Sequence, residues 1–138
     1  MDYARFEKLS KNLLEIKFNG FQPSIEEFEK YLMILKKHYE EYEESFITIF
    51  NTNETKYLNS KMRNRQAEWI KENENLIKNK CLLSIYVINN PIIRFILEAI
   101  FLVQRSPIPY QVVGTKKQAL DIVENFFDLT SINIEGVK

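Results

Sequence analysis

Glycine is scarce in this chain. There are three in 138 residues, with four prolines, one cysteine and one histidine. Each shortage excludes something. Three glycines cannot build the glycine-rich turn that cradles phosphate or dinucleotide, and neither a P-loop nor a G-x-S-x-G pattern is present. A lone cysteine, Cys81, forms no intramolecular disulfide. One Cys and one His, with carboxylates spread along helices, leave no ligand set for a metal. Charge of one sign is also missing: nineteen basic side chains balance nineteen acidic ones, so no net field draws the protein toward nucleic acid or anionic lipid. The N-terminal MDYARFEKLS has no apolar run of signal-peptide length, which makes the cytoplasm the expected location.

What is present is apolar patterning. Hydrophobic residues make up 45% of the chain, enough for the core of one domain, expected over residues 1–138. Phe6–Leu9 and Leu14–Phe18 flank a Ser10-Lys11-Asn12 turn and read as a hairpin. Ser24 and Glu27 form a capping box, and behind it Phe28, Leu32, Leu35, Tyr39 and Tyr42 mark one helical face. Phe46–Phe50 is a β-branched apolar run, expected as a strand buried on both faces. One long helix is expected from Tyr57 to Asn79, then a buried strand over Leu82–Ile88. Asn90-Pro91 starts the next helix, because proline at the first helical position forfeits only an N–H that had no partner. Tyr110–Val113 is a short strand. Thr115 and Gln118 cap a last helix, whose inner face carries Ala119, Leu120, Val123, Phe126 and Phe127. Residues 128–138 are expected as a flexible tail.

The expected fold class is therefore α/β: a mixed, mostly parallel sheet of about five strands with an N-terminal hairpin and four main helices. The segment between Asn90 and Pro107 stands out, because ten of the twelve residues Ile92–Val103 are apolar. It is too short to span a membrane, which takes roughly 20 apolar residues, and Arg94 and Glu98 interrupt it. Helical spacing puts Ile92, Phe95, Ile96, Ala99, Ile100 and Val103 on a stripe expected to face the sheet. Ile93, Leu97 and Phe101 fall on a second stripe beside Arg94 and Glu98, an ion pair at i, i+4. That second stripe is expected to be covered by a second copy of the chain, or within the monomer by another helix or the tail.

Three stretches resemble a known family. MRNRQAEWIKEN (Met62–Asn73), VINNPIIRFILEAIFLVQRSPIPYQVV (Val87–Val113) and GTKKQALDIV (Gly114–Val123) are similar to segments of the SpoIIAA-like proteins. These are small bacterial proteins of the STAS fold, with a structural likeness to the lipid-binding CRAL-TRIO domain. The element order resembles that fold too. The resemblance implies a non-enzymatic, protein-binding or signalling module and, as an alternative, a carrier of a lipid or small apolar ligand. STAS antagonists carry a phosphoacceptor serine in an Asp-x-Ser-Gly-like turn after the third strand. Here that place reads Phe50-Asn51-Thr52-Asn53-Glu54-Thr55, with neither the aspartate–serine pair nor the glycine. Thr52, Thr55 and Ser60 are the hydroxyls nearest in position. With Lys61 and Arg65 they form the candidate phospho-switch or anion site, the competing expectation being that the hydroxyls only cap the helix. His38 and Cys81 are the only histidine and cysteine, and they are expected on separate elements rather than as a dyad. Aromatic residues fall on inner faces rather than between basic ones, so no nucleic-acid partner is expected. No cofactor is expected either.

Overall fold

The computed structural model describes the backbone of residues 2–137 and the side chains of residues 2–128. Five strands and five helices follow one another among these residues: β1 (Ala4–Ser10), β2 (Leu13–Phe18), α1 (Ile25–Glu41), β3 (Phe46–Asn51), α2 (Ser60–Glu72), α3 (Glu74–Lys80), β4 (Cys81–Val87), α4 (Pro91–Val103), β5 (Tyr110–Val113) and α5 (Lys116–Val137). The strands form one sheet in sequence order, β1-β2-β3-β4-β5. The β1–β2 pair is antiparallel and every other pair is parallel, which is the mixed sheet with a leading hairpin read from the sequence.

That order dictates the layers. From β2 onward each parallel strand is added on the same side of its predecessor. Right-handed crossovers that always step in one direction place every crossover helix on one face. So α1, α2, α3 and α4 share the upper face, over a core that includes Leu14, Ile16, Phe28, Leu35, Phe46, Trp69, Ile77, Ile93 and Ile96. Only α5, which follows the last strand, covers the lower face, with Ala119 and Val123 against Ile47, Ile49, Leu83, Ile85 and Val87. Alternation along each strand supplies both cores.

The caps set the helix starts. Glu27 N–H donates to Ser24 Oγ at 3.1 Å, and Ser24 N–H donates to Glu27 Oε1 at 2.7 Å. Asn90 Oδ1 accepts from Ile92 N–H at 2.8 Å, ahead of Pro91. At α5, Gln118 N–H donates to Thr115 Oγ1 and Thr115 N–H to Gln118 Oε1. The expected long helix Tyr57–Asn79 is instead two, and it starts at Ser60. The break is Asn73: both its N–H (3.0 Å) and its side-chain Nδ2 (2.9 Å) donate to the Trp69 carbonyl. A side chain that bonds the backbone this way competes with helix continuation. The expected flexible tail lies, from residue 129 on, outside the described side chains.

Two details tie the layers together. A Cβ on Gly20 would lie 2.8 Å from the Glu54 carbonyl oxygen, so only glycine lets the turn after β2 touch the loop after β3. Glu15, on the lower face of β2, is fully buried. Its carboxylate accepts from Lys116 Nζ at 2.9 Å and from Asn51 Nδ2 at 3.3 Å. Lys116 is the first residue of α5, so this pair fastens the lower helix to the sheet.

Removing the cation would strand a buried carboxylate. Lys116→Ala should therefore cost about 1–2 kcal/mol, the value being held down because Lys116 is itself partly exposed. Lys116→Arg should keep most of it. Urea midpoints at constant m-value measure both.

Candidate functional site

The upper face is not filled. Between the sheet and its helices lies a cavity of about 120 Å³. Its floor is Phe50, Ser84 and Tyr86. Tyr31, Leu35 and Tyr39 of α1 and Gln66, Trp69 and Ile70 of α2 form walls, and Ile93, Ile96, Leu97, Ile100 and Phe101 of α4 form the roof. Ser106, Pro107 and Ile108, between α4 and β5, border it too. The rings of its floor belong to one row across the sheet, Ile16, Phe50, Tyr86 and Val112, in which Phe50 and Tyr86 stack at 5.0 Å.

Every residue that lines the cavity is uncharged. Its polar groups are hydroxyls, the Gln66 amide and the Trp69 indole N–H. The Thr55 Oγ1 is buried without a hydrogen-bond partner among the described residues. Tyr31 is buried and borders the cavity too. Burial pushes the Tyr31 phenol well above its ordinary range, with the phenols of Tyr3 and Tyr86 adding to the effect. The hydroxyl therefore stays protonated and able to donate.

The roof helix carries the second feature, and here the expected faces of α4 are corrected. Ile93, Ile96 and Ile100 are buried, and Leu97 and Phe101 pack against the same core. The exposed side chains are Ile92 (55%), Phe95 (64%), Leu102 (89%) and Val103 (68%). The helix is turned by most of one residue's step, about 100°, from the phase that puts Arg94 and Glu98 opposite the sheet. Aromatic contacts hold it there: the Phe101 ring lies 4.7 Å from Tyr110 and 6.0 Å from Tyr86. Of the residues expected at an interaction surface, Ile93, Leu97 and Phe101 thus point inward. Arg94 and Glu98 are exposed and paired at 3.5 Å.

The residues of the candidate anion site lie on the loop after β3 and the start of α2, where Thr55 N–H donates to the Thr52 carbonyl at 2.9 Å. Thr52 Oγ1 donates to the Val87 carbonyl at 2.7 Å, and Thr55 turns inward. Ser60 is exposed at the start of α2, whose cap is Asn59: its Oδ1 accepts from Met62 N–H at 3.0 Å. Lys61 is exposed. Arg65 is engaged elsewhere, on Glu29 of α1 at 2.5 Å, on Glu72 at 3.0 Å and near Glu68 at 3.8 Å. Three carboxylates answer its charge.

His38 and Cys81 do not meet as a dyad. His38 stacks on Phe6 with ring centroids 4.8 Å apart, and desolvation holds its pKa below the usual 6.5. Cys81 is buried beside Thr48 Oγ1 (3.6 Å) and Ser84 Oγ (3.9 Å), and burial raises its pKa. Among the described residues, no group of three His, Cys, Asp or Glu could hold a metal ion, and no helix is long and apolar enough to cross a membrane.

No family model and no curated protein matches the chain in sequence. Its fold does match solved structures. One is the anti-sigma factor antagonist SpoIIAA in its unphosphorylated form, 13% identical, covering 88% of this chain and 97% of that one with a TM-score of 0.57. Another is an uncharacterized protein of the DUF3478 family with a SpoIIAA-like fold from Shewanella loihica PV-4. It is 12% identical and covers 86% of this chain and 90% of that one, with a TM-score of 0.61. The STAS-like, SpoIIAA-like fold expected from the sequence is the fold observed.

Two outcomes follow for single side chains. Asn59→Ala should cost about 1 kcal/mol by loss of the cap, while Ser60→Ala should be near neutral in the same thermal-unfolding series. For His38 the folded state favours the neutral ring. Its contribution is complete above pH 6.5 and fades as pH falls through 6.5 toward the lower folded value. His38→Gln should flatten the stability profile between pH 7 and about 5.5; an unchanged profile would rule this out.

Proposed function

We propose that the chain is a non-enzymatic, single-domain, SpoIIAA-like interaction module of the cytoplasm, and that it pairs with a second copy of itself through the outer face of α4. The observation that carries this is the exposed arc Ile92, Phe95, Leu102 and Val103. Large apolar side chains gathered on one helix face form a patch of a few hundred Å², the scale at which such surfaces mark interaction sites. A net charge of zero puts no repulsion between copies. Arg94 and Glu98 border the arc, and a two-fold interface would let each pair with its counterpart, because an isologous contact sets i against j and j against i. The SpoIIAA-like fold supports a protein-binding role, and the resemblance of Met62–Asn73, Val87–Val113 and Gly114–Val123 to that family points the same way. No nucleic-acid partner is proposed.

The cavity favours a second reading, a carrier of an apolar molecule. Ligand pockets usually measure about 300–1,000 Å³, and this one measures about 120 Å³. That volume suits a small apolar molecule and not a whole lipid.

Light scattering after size exclusion separates the readings. Wild type should give a dimer mass at tens of micromolar. Phe95→Glu or Leu102→Glu should raise the dissociation constant by more than about tenfold with unfolding midpoints unchanged. Monomer mass at every concentration would sink self-association. Leu97→Glu, which faces the core, should lower stability instead.

A further inference from the structure

We propose that the cavity beneath α4 takes a small uncharged amphiphile, about five carbons with one alcohol or carbonyl oxygen, whose polar atom is met by the hydroxyl of Thr55 or Tyr31. This rests on the second reading above, that the cavity holds a ligand at all, and names the class.

Size sets the carbon count. An apolar protein cavity of about 150 Å³ holds one benzene, so about 120 Å³ admits a skeleton of roughly six heavy atoms. The lining sets the charge. No Lys, Arg, His, Asp or Glu borders the cavity, so neither a carboxylate nor an ammonium would find a counter-charge there. The polar groups set the need for one oxygen. Thr55 Oγ1 is buried and unpaired among the described residues, and Tyr31, a buried residue, also borders the cavity. A purely apolar occupant would leave the Thr55 hydroxyl unsatisfied. A single alcohol or carbonyl oxygen satisfies one hydroxyl and brings no charge.

Trp69, the single tryptophan, lines the cavity, so its fluorescence reports occupancy in the full chain. Titration at pH 7 with 1-pentanol should give a saturable change. Butanoate and pentylammonium should bind at least tenfold more weakly. The combined Tyr31→Phe, Thr55→Val variant keeps the shape of the lining. It should weaken pentanol about three- to tenfold, the worth of one hydrogen bond, and leave benzene unaffected. Butanoate or pentylammonium binding as tightly as pentanol would overturn the uncharged class while leaving the cavity reading intact. Pentanol binding that ignores the double variant would overturn the role of the two hydroxyls. If neither pentanol nor benzene saturates, the cavity reading falls, and this inference with it.

Discussion

The handedness of the crossover connection governs this molecule. Because β2, β3, β4 and β5 are laid down in one direction, right-handed connections leave their helices no choice of face. Four helices crowd one side of a five-stranded sheet and one helix serves the other. The crowded side has to accommodate side chains from the sheet and from four helices. It is also where most of the aromatic residues lie, in a network that runs from Tyr3 through Phe18 and Tyr31 and from Phe50 through Tyr86 to Tyr110. The void and the helix with surplus apolar surface over it both lie on that side.

Much of this was legible before any coordinates. Element starts were written in local chemistry: Ser24 with Glu27, Asn90 with Pro91, and Thr115 with Gln118 cap helices as their sequence implies. The bounds of α4 and β5 match the sequence reading residue for residue. What was not legible depends on neighbours. The phase of α4 is degenerate in sequence because nearly every position is apolar, and tertiary neighbours, among them the rings of Tyr86 and Tyr110, decide which stripe turns inward. The interruption at Asn73 is a contest between a side chain and a helix, and in sequence an asparagine at that point looks like any polar surface position.

The candidate site divides the same way. An excess of apolar surface on residues 91–103 was visible as composition, and both the roof and the outer arc of α4 belong to it. The hydroxyls that matter were not visible as a set. Tyr31 lies on a helix and Thr55 on a loop, 24 positions apart in the chain, and their joint presence around one void comes from the packing of α1 over the sheet. The residues that looked most like a switch, Thr52, Ser60, Lys61 and Arg65, are each accounted for by an ordinary structural contact or by solvent.

The fastening of α5 by Lys116 to Glu15 also bears on how the chain is made. Synthesis runs from the N-terminus at roughly 5–20 residues per second. All four upper helices and every strand are available before α5 is. Through that interval Ile47, Ile49, Ile85 and Val87 face outward from a nearly finished sheet, together with a buried-to-be carboxylate that has not met its lysine. Closure of the lower face therefore waits on a pair 101 positions apart in the chain, so the face whose lid is a single helix is also the one with the longest loop to close.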